Sequence, residues 1–334
     1  MLAELLRLPW EEATTLFEAA KKNVFVKSLP DGRISLHDEI RRMVNQHVWP
    51  LVDPDADRRL RDSRLAKAYL HHEIEALTQR TAQLEAAEQT ARQALDARTE
   101  LATFVEREAL ERNLWTFKEQ YLYHAMFTDV PEGVKFFVAA FDQATQAYRF
   151  SFRESLLRQM TAYVETLDAE QRYQVEIRQS KHLMDNGQHT EARDLLEKMA
   201  ARPELQPQQR IETLIQLANV QIRLGKLQDG IQLFKDAVRI SYENGEKAWI
   251  AKAETGLGWA YRLTAAFRKA GEHYETALDL AMELGLKKEQ ALLYNNLGFV
   301  YAYYEHIPNH RDKAEWFCHQ SLAIAEELDD RRGQ

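Results

Sequence analysis

Leu217-Ala218-Asn219-Val220, Leu257-Gly258-Trp259-Ala260 and Leu297-Gly298-Phe299-Val300 begin at positions 217, 257 and 297, a constant step of 40 residues. In each, a leucine and a small residue are followed by an aromatic or apolar stripe and a second small residue. Self-similarity at a fixed period of this length marks a supersecondary unit that cannot bury its apolar face alone and stacks on its neighbours. Stacking produces an elongated superhelix whose inner wall stays free to bind. The register therefore points to recognition rather than to chemistry.

Within each unit a second helix is legible. Ala192, Gly230, Ala270 and Ala314 open it, and Leu196, Phe234, Tyr274 and Phe317 or Cys318 follow on the same helix. Small residues let paired helices approach, while the large ones fill the layer between them. Asn186-Gly187 and Gly225 mark reversals, and Glu305-His306-Ile307-Pro308-Asn309-His310 reads as an insertion that lengthens the last inter-helix loop. The pattern resembles the tetratricopeptide repeat in a form of about forty residues per unit, with four units from Tyr173 to Leu328. The resemblance implies that the first helix of each unit lines a concave groove. Asn219, Arg223, Lys252, Trp259, Arg262, Asn295, Phe299 and Tyr303 fall on that wall. Amide and cationic groups there suit a peptide backbone or carboxylate, and aromatic groups add apolar and cation–π contact.

Ahead of the repeats, no glycine or proline occurs between Pro54 and Pro131, and Leu70, Ile74, Leu77, Leu84, Ala91 and Leu95 fall near heptad spacing. Long helices are expected. Thr81 and Glu88 interrupt the seam, which favours an antiparallel hairpin over a long parallel coiled coil. Aromatic density then rises through Trp115, Phe117, Tyr121, Tyr123 and Phe127. A turn at Asp129-Val130-Pro131-Glu132-Gly133 precedes Phe136, Phe137 and Phe141, so a packed junction is expected there.

The N-terminal segment differs. Asn23-Val24-Phe25-Val26-Lys27-Ser28 and Arg33-Ile34-Ser35-Leu36 flank Leu29-Pro30-Asp31-Gly32, a hairpin signal in which Gly32 can adopt positive φ. Helical patterns over Trp10 to Lys22 and His37 to Val48 bracket it, suggesting a small winged-helix-like domain. Leu36-His37-Asp38 resembles the methionine-histidine-aspartate motif of winged-helix domains in signal transduction ATPases with numerous domains, with leucine in place of methionine. In that family the histidine contacts the β-phosphate of bound ADP and holds the inactive form. The resemblance implies a nucleotide-sensing role for His37, with Asp38 capping the helix and orienting it. No Gly-x-x-x-x-Gly-Lys-Ser/Thr loop occurs, so no segment offers the backbone cradle that nucleotide phosphates need. The chain is expected to be a C-terminal fragment without cofactor and without enzymatic activity of its own. ADP or ATP with Mg is expected only in a full-length protein that supplies the missing nucleotide-binding domain.

The expected fold is nearly all-α: a winged helix with a β-hairpin at 1–53, a helical connector at 54–170, and an α-solenoid sensor at 171–334. Scarce glycine (12) and proline (8) agree with it. A net charge of −8 gives no global attraction to nucleic acid or anionic lipid. Basic and acidic side chains balance from Met1 to Pro50, whereas a DNA-reading winged helix normally presents a basic face. No apolar run is long enough for a membrane span, and Met1-Leu8 is too short for a secretion signal, so a soluble cytoplasmic protein is expected. The single cysteine, Cys318, reads as a small filler on an apolar helix face. His71-His72 diverge on a helix, and Pro308 keeps His306 and His310 off one regular helical face, so no metal site is expected. The functional expectation is a sensor that binds an inducer, whether protein, peptide or small molecule, in the groove. A stand-alone adaptor and a winged-helix transcription regulator are the alternatives.

Overall fold

Helix dominates because the sequence removes most alternatives: long stretches lack glycine and proline, and apolar residues recur on one face. The computed structural model describes residues 9–21, 26–28, 34–36, 53, 55–304 and 309–328. The chain divides into two units, Met1–Gln171 and Arg172–Gln334.

In the first unit, α1 (Trp10–Lys21) carries Glu11 and Glu12 in its first turn, where the helix dipole favours negative charge. Strands β1 (Val26–Ser28) and β2 (Ile34–Leu36) pair antiparallel, with Val26 opposite Leu36 and Ser28 opposite Ile34. His37, Asp38 and the helix expected after them lie outside the described residues. One helix and a two-stranded ribbon are too little to establish the winged helix expected at 1–53, since such a ribbon is a generic element.

The glycine-free stretch forms a helical hairpin of α2 (Asp57–Gln93) and α3 (Ala97–Thr128). Asp53 starts it by accepting the backbone N–H of Arg58 at 3.2 Å and Arg59 at 2.9 Å. Leu70, Leu84 and Ala91 are buried along the seam. Glu88 is tolerated there because Arg92 (3.1 Å) and Arg107 (3.0 Å) hold its carboxylate. Leu95 corrects the heptad reading. It occupies the reversal, with φ 57° and 91% exposure, because the chain turns one step before the heptad count would bury it. Asp96 then caps α3 through Thr99 N–H at 3.2 Å. Two further helices, α4 (Val130–Gln146) and α5 (Phe150–Thr161), complete the packed junction around Leu122, Ala125, Phe137, Phe141, Leu156 and Met160.

The second unit is a solenoid of helix pairs: α6 (Ala169–Asp185) with α7 (His189–Ala200), α8 (Pro207–Arg223) with α9 (Leu227–Asn244), α10 (Lys247–Leu263) with α11 (Phe267–Glu283), and α12 (Lys287–Tyr303) with α13 (His310–Glu327). Leu196, Phe234 and Tyr274 are fully buried at equivalent places, as are Ala192 and Ala270. At Gly230 an added Cβ would lie 2.5 Å from Ile222 Cγ1, so only glycine permits that helix approach. The last pair departs from this pattern: Phe317 is half-buried and Cys318 is exposed, although its Sγ faces Gly298. Cys318 is therefore not the buried filler its helical position suggested. Residues 305–308 of the expected insertion lie outside the described residues.

Candidate functional site on the inner wall of the repeats

Among the described residues, first helices of successive pairs touch along one side of the solenoid: α8 touches α10, and α10 touches α12. Side chains on those faces form the inner wall. The 40-residue register sorts them, since 219, 259 and 299 are equivalent, as are 223, 263 and 303, or 212, 252 and 292.

The sequence-derived residues take three different places on this wall. Asn219 is half-buried, while Arg223, Lys252 and Asn295 are exposed. Trp259 is half-buried and packs against the cores of two successive repeats, which makes it chiefly a spacer between them. Arg262, Phe299 and Tyr303 come together. The Arg262 guanidinium lies 4.5 Å from the Phe299 ring centroid, and Phe299 and Tyr303 are 4.7 Å apart. Phe299 is 39% and Tyr303 60% exposed, so the cluster presents apolar surface capped by a cation. Tyr303 also stacks on Phe267 at 6.1 Å. Leu263 (47% exposed) and Leu292 (52%) extend the apolar strip.

A second feature of the wall escaped the sequence. Glu212 on α8 accepts the Tyr173 hydroxyl at 2.8 Å and the Lys181 ammonium at 2.9 Å, both from α6. Burial opposes ionisation of Glu212, but Lys181, the Tyr173 hydroxyl and the field of Lys252 outweigh it and hold the carboxyl below its ordinary value of 4.5. Glu212 shares the register of Lys252, which was the available signal. Its partner Lys181 was hidden because the first repeat is 38 rather than 40 residues from the second, as Ala192 to Gly230 shows.

A depressed folded-state value means that the stabilisation is complete above about 4.5 and is lost as pH falls through the lower folded value. Glu212→Gln is therefore expected to flatten the acid limb of the stability-versus-pH curve below that value, measured by urea unfolding at a series of pH values. An unchanged acid limb would show that the carboxylate is not held in its ionised form. Among the described residues, no three His, Cys, Asp or Glu side chains gather as a metal site would require. No helix among them is long and apolar enough to cross a membrane.

A family model described as tetratricopeptide repeat matches residues 209–283. Comparison with curated proteins finds no match. Among solved structures, the chain is similar to the signal transduction ATPase with numerous domains from Pyrococcus horikoshii, which has a tetratricopeptide repeat sensor. Identity is 15% and the TM-score 0.51, over 99% of this chain and 57% of that one. The Podosopora anserina putative kinesin light chain repeats give 19% identity and a TM-score of 0.46, over 59% of this chain and 96% of theirs. The apo form of RapI gives 12% and 0.49, over 77% and 79%. The chain thus spans little more than half the length of the Pyrococcus protein, and at these identities the likeness is one of fold. What the comparisons establish is a tetratricopeptide-repeat match at residues 209–283 within a nearly all-helical, solenoid-bearing chain.

Proposed function

We propose that this chain is the sensing portion of a signal transduction ATPase, and that the inner wall of its repeats binds a peptide segment of an inducer or partner protein. The observation that carries the binding part is the exposed Arg262–Phe299–Tyr303 cluster, continued by Lys252, Arg223 and Asn295. Exposed aromatic surface beside exposed amide and cationic groups suits a segment with an apolar side chain and an anionic group, either Asp or Glu or a C-terminal carboxylate. The sensor part draws on the fold shared with the Pyrococcus protein along 99% of this chain. It draws also on Leu36-His37-Asp38, which begins at the last residue of β2.

Nucleotide enters this reading only through the larger protein. No Gly-x-x-x-x-Gly-Lys-Ser/Thr sequence occurs in this chain, so in this reading ADP or ATP with Mg is bound and hydrolysed by a nucleotide-binding domain of the larger protein. Coupling would be reciprocal: an inducer that favours the open state weakens ADP retention, and ADP weakens inducer binding by the same factor. In the protein carrying its nucleotide-binding domain, His37→Ala is expected to release ADP faster and raise basal activity.

A peptide library displayed with free C-termini tests the wall. Selection on the native chain is expected to enrich segments joining an apolar residue to a carboxylate, and Phe299→Ala or Arg262→Gln should weaken them by about tenfold or more. Enriched peptides indifferent to both substitutions would remove this wall as the binding surface. The adaptor alternative shares the wall and differs only in lacking the ADP coupling.

A further inference from the structure

We infer that a cavity in the first unit, between the second half of α3 and the start of α5, binds a small planar aromatic anion. Its ring would be taken by Trp115, Tyr148 and Phe150, and its anionic group by Arg112. The cavity measures about 710 Å³; small-molecule sites span roughly 300–1,000 Å³. It is independent of the repeat wall.

Three observations meet on it. The first is Tyr148, which has φ 54° at the reversal between α4 and α5. There its N–H bonds Thr145 O at 3.3 Å, and the next N–H, of Arg149, bonds Ala144 O at 2.8 Å. The same pattern recurs at Gly187, Gly225 and Gly285, with φ of 76°, 80° and 67°, and also at Leu95 and Ala265, with φ of 57° and 55°. Of the non-glycine residues in this turn, Tyr148 is the one that carries an aromatic ring, and that ring lines the cavity. Its ring is 54% exposed at the cavity, beside Phe150 at 6.4 Å.

The second observation is Trp115, packed on Phe152 at 4.7 Å on the inner side. Its Nε1 is buried and has no acceptor among the described residues. The buried Lys118 ammonium lies over the ring, 4.1 Å from the centroid, and donates to Gln143 Oε1 at 2.9 Å. An electron-rich wall backed by a buried cation is suited to stacking against a second ring. The third observation is charge. Arg149 on the rim is neutralised by Glu108 at 3.2 Å and Glu111 at 2.5 Å. Arg112 is exposed and pairs with no carboxylate among the described residues. A guanidinium favours an anionic substituent, which it can hold with paired N–H donors, over a cationic one.

The test uses the whole chain labelled with 5-fluorotryptophan, whose six tryptophans give separate fluorine resonances, that of Trp115 identified by Trp115→Phe. Naphthalene-2-sulfonate is titrated as the probe and neutral 2-naphthol as its control. The Trp115 resonance is expected to shift saturably with the sulfonate. Tyr148→Gly should weaken the sulfonate about tenfold or more by removing one aromatic wall, while the melting temperature stays level or rises because glycine relieves the turn. Arg112→Gln should weaken the sulfonate and leave 2-naphthol unchanged. No saturable shift, equal affinity in Tyr148→Gly, or equal loss of both probes in Arg112→Gln would each overturn the assignment.

Discussion

Phe234→Ala is expected to lower the unfolding free energy of the repeat unit by about 3–5 kcal/mol, the range for deleting a buried aromatic side chain without collapse of the site. Phe234 is fully buried on α9 within the cluster of Ile211, Ala218, Ala253 and Leu257, so it joins two successive repeats. Collapse is resisted by shape: a Cβ at Gly256 would lie 2.1 Å from the Phe234 ring, which shows that the ring already presses against the α10 backbone. Removing it leaves a gap that rigid helices cannot close. For a unit of this size the loss should lower the melting temperature by on the order of 10 °C, measured by circular dichroism or calorimetry. Because repeats are stabilised chiefly by their neighbours, unfolding should also become less cooperative. A loss under about 1 kcal/mol would mean that Phe234 is not the joint between repeats.

Arg202→Ala should cost about 3–5 kcal/mol, because it strands a buried charge. Arg202 follows α7 and grips Glu176 of α6 with two hydrogen bonds, at 2.5 and 2.7 Å, and Glu176 is only 7% exposed. The carboxylate has already been desolvated, so losing its partner leaves that cost uncompensated. Arg202→Lys should recover little, since a point ammonium cannot reproduce the planar two-point grip. Glu176→Gln with Arg202→Ala should recover part of the loss by removing the stranded charge. Denaturant unfolding of the single and double variants measures this directly. Additive losses in the double variant would contradict the coupling.

Much of the solenoid could be read from the sequence because its determinants repeat. Leucine–small pairs at a fixed step and a large residue four positions after the small one in the second helix of the first three pairs are geometric requirements of stacked helices, and they recur wherever the geometry does. The helical hairpin was legible because Thr81 and Glu88 interrupt the apolar seam; that Arg92 and Arg107 hold the Glu88 carboxylate became visible only in the structure. What resisted reading depends on contacts between elements distant in sequence. Glu212 draws its partners from a repeat with a different step length. The solvent exposure of Cys318 depends on how the last helix pair packs, which helical phase alone does not determine. Trp259 looked like a ligand contact because its register matches Phe299. Yet its ring closes against two cores, and Phe299 at the same register is free because fewer neighbours cover it. Tyr148 went unnoticed because positive φ is invisible until the turn is seen.

The claim that the inner wall is the binding surface can be tested by hydroxyl-radical footprinting with a selected peptide. Both faces carry reactive exposed side chains: Leu263, Leu292, Phe299 and Tyr303 on the first helices, and Tyr242, Met282, Trp316 and Leu322 on the second. Bound peptide should protect Phe299, Tyr303 and Leu292 while leaving Tyr242, Trp316 and Leu322 as reactive as in the free chain. Protection of the second set with the first unchanged would contradict the account.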